Sequence, residues 1–124
     1  MIRLDGICKS FGSLKVIDEL SLVCPQGKIT AIIGGSGGGK STILKMLVGA
    51  VAPDAGEIWI DDRPIHALED QALNEVRRQM GVLFQHAALL KSMTVRENVA
   101  LPIIENTDLD ETVIDIIIKM KLDQ

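Results

Sequence analysis

The chain has 124 residues, 47% of them hydrophobic, and a formal net charge of −4. That is enough for one small domain with a packed core, and an acidic balance without long charge runs argues against non-specific nucleic-acid binding. No apolar run is long enough to span a bilayer, and Met1-Ile2-Arg3-Leu4-Asp5 is no signal peptide.

Cys8 and Cys24 have neither metal-ligand spacing nor a CxxC pattern, so both are expected to be reduced strand residues in a cytoplasmic protein. Ile2 to Lys9 alternates apolar and polar residues, the pattern of a half-exposed strand. Phe11-Gly12 is a turn, and Val16 to Cys24 is a second strand. Phe11 offers a flat apolar surface on which a nucleotide base could stack, or it caps a small core; position alone does not choose.

Pro25-Gln26-Gly27 turns the chain into Ile29-Thr30-Ala31-Ile32-Ile33, a β-branched run of strand length. Then comes Gly34-Gly35-Ser36-Gly37-Gly38-Gly39-Lys40-Ser41-Thr42, which contains G-x-x-x-x-G-K-S from Gly34 to Ser41, followed by an apolar helical pattern to Val48. A triphosphate needs many N–H donors converging on a small volume, and glycine permits the positive φ and close approach that this demands. The first turn of the helix adds unpaired amides and the positive end of its dipole. Lys40 is expected to reach the β- and γ-phosphates, and the Ser41 hydroxyl to ligate Mg²⁺. A flexible glycine linker would have no reason to stand between a strand and a helix.

In that helix Ile43, Leu44, Leu47 and Val48 share a face. Pro53-Asp54-Ala55-Gly56 is a turn and Glu57 to Asp61 a short strand. An apolar run ending in Asp61-Asp62 imitates the Mg²⁺-holding strand of phosphate-loop enzymes, but the alternation around Ile58 and the Asp-Arg-Pro turn favour an exposed hairpin. Leu68 to Met80 has helical spacing with Asp70 as a cap. Gly81 to Phe84 is expected to be a buried strand, with Gln85 at its end, either touching metal-bound water or solvated in a loop. Thr94-Val95-Arg96-Glu97 is a capping box whose helix should stop before Pro102. A last helix is expected from about Leu109 to Met120, with Asp108 and Glu111 near its start and Val113, Ile116, Ile117 and Met120 on its apolar face.

Phe11-Gly12, Gly34 to Thr42, Pro53 to Ile58 and Val82-Leu83-Phe84-Gln85, in this order, resemble the first half of an ABC-transporter ATPase. Gly81 to Leu90, continued by Met93 to Pro102, is similar to the Mce/Mla-type ATPases that energise lipid transport between bacterial membranes. The resemblance covers essentially the whole chain. It implies an α/β P-loop NTPase fold of which this is the N-terminal half. Residues 1–90 would form an antiparallel β-subdomain with part of the RecA-like core, and residues 91–124 the start of the helical subdomain. It implies ATP and Mg²⁺ as ligands, with Phe11 stacking on adenine and Gln85, as the Q-loop glutamine, sensing Mg²⁺ and the γ-phosphate. It also implies membrane permease subunits as partners, dimerisation, and a place at the cytoplasmic face of the inner membrane. Gly35 and Gly38 stand where the family commonly has proline and serine, which should raise the ordering entropy of the empty loop.

The family continues with an L-S-G-G-Q signature, a Walker B strand and a switch histidine, and none of these occurs in the 124 residues. His66 and His86 are wrongly placed to be the switch. The chain alone is therefore expected to bind nucleotide weakly or not at all and to turn over no ATP, and strand Ile29–Ile33 to lack a neighbour, inviting self-association or a domain swap. A small-molecule P-loop kinase, with Arg77-Arg78 as its lid arginines, and a non-hydrolysing regulatory module are the other readings.

Overall fold

The computed structural model describes residues 1–84 and 89–123, and divides into two compact units, Met1–Gly81 and Val82–Gln124. In the first unit, β1 (Ile2–Phe11), β2 (Leu14–Cys24), β3 (Ala55–Ile60) and β4 (Arg63–Pro64) form an antiparallel sheet of order β2-β1-β3-β4. The unit also holds α1 (Lys40–Leu47), a 3₁₀ turn at Ile65–Ala67 and α2 (Asp70–Arg77).

Alternation alone would send Leu4 and Ile7 to opposite faces of β1, because they are three residues apart. Both are nevertheless buried in one core. The pairing explains it: Leu4 faces Leu22 and Ile7 faces Leu20, so β1 carries an extra residue here, and the bulge resets the phase. Ile58 of β3, Ile17 of β2, Ile43 and Met46 of α1, and Ile65, Leu73 and Val76 complete this core.

β3 crosses β1 at the same bulge. Gly56 has φ +85°, and a Cβ there would stand 2.4 Å from the carbonyl oxygens of Asp5 and Gly6. No side chain fits without parting the two strands. Asp61 and Asp62 both take positive φ in the turn that joins β3 to β4, and Asp61 pairs with the amino terminus. The exposed-hairpin reading of this segment holds.

Several expectations need correction. Phe11 ends β1, and the turn is Gly12-Ser13. On α1 the inward face is Ile43 and Met46, with Leu44 half exposed. The α2 helix is shorter than its apolar spacing suggested. Glu69, not Asp70, holds its N-cap position, and no side chain caps it. Ile29–Ile33 and Gly81–Phe84 join no ladder among the described residues, and Ile29, Ile33 and Leu83 are 99%, 93% and 88% exposed. A strand is a property of a pair, and among the described residues neither run meets a neighbour whose N–H and C=O groups could satisfy its own.

In the second unit, α3 (Val95–Ile104) packs on α4 (Glu111–Leu122). The capping box forms as expected: Thr94 Oγ1 accepts the Glu97 amide at 3.2 Å, and Glu97 Oε2 accepts the Thr94 amide at 2.6 Å. The helix does not stop at Pro102. Proline removes only its own bond, and the last carbonyls find other donors: Asn106 Nδ2 to Pro102 at 2.8 Å and Thr107 Oγ1 to Ile103 at 2.8 Å. Asp110 is the N-cap of α4, accepting the Thr112 amide at 2.8 Å.

The apolar face of α4 is also rotated from the expected one. Ile114 and Ile118 are buried against Ala100, while Val113, Ile116 and Met120 stay exposed. The apolar arc of this helix is wide, opposite a side carrying Glu111, Thr112, Asp115 and Lys119, so its period does not fix which part of the arc is buried. Arg96 of α3 bonds Asp115 at 2.8 Å and Glu111 at 3.2 Å at the exposed edge of this contact, beside the buried Ile114 and Ile118.

Gly56→Ala should cost roughly 2 kcal/mol or more, from left-handed strain together with the carbonyl overlap. Urea unfolding of the two proteins would measure it, and a loss below half that size would mean that β1 and β3 can part cheaply.

Candidate functional site

The glycine-rich loop is held at three places. Gly38 donates to the Gly35 carbonyl at 3.2 Å, closing a turn inside the loop. Lys40 Nζ donates to the carbonyls of Gly34 and Gly35 at 2.7 and 2.6 Å, tying the first residues of the loop to the helix that follows. Gly39 is buried against β2. With φ +79°, it is the left-handed residue before α1, and a Cβ there would meet the Val16 carbonyl at 3.1 Å and the Ile17 side chain at 3.2 Å.

The contact with Val16 comes from strand register. Lys9 faces Ile17, but Ser10 faces Lys15, so Val16 is the extra residue on β2. A bulge re-aims its residue out of the ladder, and here it meets the loop. Beyond Gly39 the first helical bond runs from Ile43 N–H to the Gly39 carbonyl at 2.9 Å. The amides of Lys40, Ser41 and Thr42 precede it and have no carbonyl of their own helix to bond.

Gly37, Gly38, Gly39, Lys40, Ser41 and Thr42 line a cup of about 140 Å³ at this helix start. The unpaired first-turn amides and the positive end of a helix dipole lie at it, and Lys40 lines it with its ammonium bonded to the Gly34 and Gly35 carbonyls, which is the chemistry of an anion site. Of the two glycines that depart from the family pattern, Gly35 has open space where a Cβ would be, whereas a Cβ on Gly38 would sit 3.1 Å from the Gly35 carbonyl.

Phe11 is 51% exposed, which removes the core-capping alternative. It pairs with Leu14, so the hairpin tip that carries its ring lies two residues from the bulge touching the loop. Asp61 is away from this cup, in the β3–β4 turn. His66 lies in the 3₁₀ turn, and burial pushes its imidazole down. Gln85 and His86 lie outside the described residues. Among the described residues no cluster of His, Cys, Asp and Glu could hold a metal on its own, and no helix is long and apolar enough to cross a membrane.

The sequence model of the ABC transporter family matches residues 17–124. The chain belongs to the ABC transporter family. It is 42% identical to the intermembrane phospholipid transport system ATP-binding protein MlaF of Haemophilus influenzae, over 99% of this chain and 47% of that protein. It is 45% identical to the methionine import ATP-binding protein MetN of Rhizobium johnstonii, over 83% of this chain and 28% of MetN. The ATP-binding cassette MJ0796, solved as a dimer in a post-hydrolysis state bound to ADP and Pi, superposes with a TM-score of 0.82 at 30% identity, covering 92% of this chain and 52% of that one. The fold is therefore the N-terminal part of the P-loop ABC ATPase, and the chain spans about half the length of its MlaF relative or less of other relatives.

Within this ABC cassette half, two polar devices escaped the sequence reading. Asn98 clamps the segment before α3: its Oδ1 accepts the Leu90 amide at 2.8 Å, and its Nδ2 donates to the carbonyls of Leu90, Met93 and Thr94. Asp54 clamps the end of β1, taking Lys9 Nζ on Oδ1 and the Ser10 amide on Oδ2, each at 2.7 Å. The sequence signal was an Asx residue in a turn for Asp54 and an Asx residue one position past the capping box for Asn98, and neither names its partner.

The hydrogen bond from Lys9, then that from the Ser10 amide, hold the Asp54 carboxyl below its ordinary range. A carboxylate lowered in the folded state contributes stability above its unfolded pKa of about 4, and that contribution drains as pH falls through the folded value. Acid unfolding monitored by circular dichroism should therefore show Asp54→Asn losing most of its deficit against the parent chain below about pH 4. A deficit that persists unchanged as the pH falls further below that value would mean that the carboxylate charge contributes nothing.

Proposed function

We propose that this chain is the ATP-binding half of a transport ATPase subunit. In this reading the amides of Gly37 to Thr42 bind the β- and γ-phosphates, with Gly34, Gly35 and Ser36 forming the entry of the loop. Lys40 exchanges its two carbonyl acceptors for phosphate oxygens. The observation that carries this is the cup itself: a left-handed glycine set against β2, with the first-turn amides of α1 open above it.

The donor set suits magnesium as well, since the exposed Ser41 hydroxyl is a hard oxygen at the rim of the cup and a metal held there would keep most of its waters. Ser41 and Gln85 would hold Mg²⁺, which supplies charge neutralisation on the phosphate oxygens. Phe11 offers its exposed ring to adenine.

Transport of phospholipid between bacterial membranes is the favoured task, on the MlaF matches at 42% and 44% identity over 99% of the chain; the probable ribonucleotide transport ATP-binding protein mkl of Mycobacterium bovis matches 98% of it at 40%. The parent subunit would then work as a dimer on membrane permeases, at the cytoplasmic face of the inner membrane. The chain by itself would bind ATP without turnover, having no signature, Walker B or switch segment. The kinase reading loses its lid: Arg77 donates to the carbonyls of Val48 and Gly49 at 2.9 and 3.3 Å, closing the C-terminal end of α1.

Millimolar ATP with magnesium should shift the backbone NMR signals of Gly34 to Thr42, with no phosphate released above background. Unmoved signals in a folded sample would end the nucleotide reading, and turnover matching a whole ABC ATPase would end the claim of inactivity. The uncovered Ile29 and Ile33 each forgo roughly 1.5–3 kcal/mol that burial would return. Self-association through this segment is the expected consequence, and light scattering that finds only monomer at high micromolar concentration would count against it.

A further inference from the structure

Lys9 lies with its ammonium 5.5 Å from the centroid of the Phe11 ring. From Lys9 to Phe11 the bulge falls on β2, so β1 is regular and the two residues share a face. The lysine is not a loosely solvated surface group: its side chain is only 14% exposed.

Asp54 is what holds it. One carboxylate oxygen takes Lys9 and the other the Ser10 amide, while the Asp54 amide donates to the Cys8 carbonyl at 2.8 Å. Residues 8, 9 and 10 are thus anchored to one turn residue, immediately before the ring. An exposed phenylalanine at a strand end otherwise samples several rotamers, and a base that stacks on it must fix one. A cation held against one face removes part of that freedom in advance and leaves the other face open.

We infer that the Lys9–Asp54 pair is a positioning device for the base of the bound nucleotide, acting through the Phe11 ring and not on the phosphates. The inference rests on the nucleotide reading above and adds to it two residues and a division of labour. The ammonium is ion-paired with Asp54 at 2.7 Å, so the pair has little net charge to offer the triphosphate while the ammonium still lies over the ring. Selectivity for a nucleotide over a bare polyphosphate is then set by this pair and the ring together.

The test compares ATP with inorganic tripolyphosphate, both with magnesium, by NMR titration of the full 124-residue chain. Lys9→Met and Asp54→Asn should each weaken ATP about three- to fivefold, the size of one exposed cation–π contact, and leave tripolyphosphate unchanged. Lys9→Arg should keep ATP affinity, and Lys9→Met should have no further effect in a Phe11→Ala background. Equal losses for both ligands would mean a purely structural role, and unchanged ATP affinity would mean no role; either overturns the inference while leaving nucleotide binding intact. If Lys9→Met fails to fold, the comparison of Asp54→Asn with the parent chain decides by the same criteria. No ATP response in the folded parent chain would overturn both readings together.

Discussion

The approach of Gly39 to Val16 is the contact on which the rest of the first unit depends. A bulge lifts one residue of β2 out of its ladder, and the loop settles against it with a backbone conformation that only glycine takes without strain. From that point α1 leaves at a fixed angle, sending Ile43 and Met46 into the core between the sheet and α2. The open amides at the helix start are therefore tied through one buried chain of contacts to Leu4, Ile7 and Ile58. An anion held there would be held by the fold and not by a mobile loop.

Bulges recur as the means by which this sheet serves its surroundings. One in β1 lets Leu4 and Ile7 share a core and opens the space into which Gly56 fits. Another in β2 presents Val16 to the loop. Each sacrifices a regular bond to aim a side chain or a carbonyl where an unbroken ladder would not. Asp54 exploits the same region, joining the turn before β3 to the last residues of β1 through two carboxylate oxygens.

Polar clamps play the equivalent part in the second unit. Asn98 satisfies one amide and three carbonyls of the segment entering α3, and Arg96 joins α3 to Asp115 and Glu111 of α4. Exposed ion pairs contribute little energy individually. The burial itself is set by packing: Ala100 leaves room for Ile114 and Ile118 to close on it.

Much was legible in the residues themselves. The loop, the start of α1, the capping box at Thr94 and the turn-rich hairpin at Asp61 are local devices, set by φ preference, by missing N–H partners or by a side chain reaching three residues along. Such features need no distant part of the chain, so the sequence by itself determined them and with them the family. Only the tertiary structure decided that Ile29–Ile33 and Gly81–Phe84 stand without a ladder, that Leu44 turns outward, that α3 passes through Pro102, and that Lys9 is locked beside Phe11. In each of these the outcome depends on which group happens to lie opposite. Pairing across a sheet, the buried stripe of a helix with a wide apolar arc and the partner of an aspartate are relations between distant residues, and no local pattern encodes them.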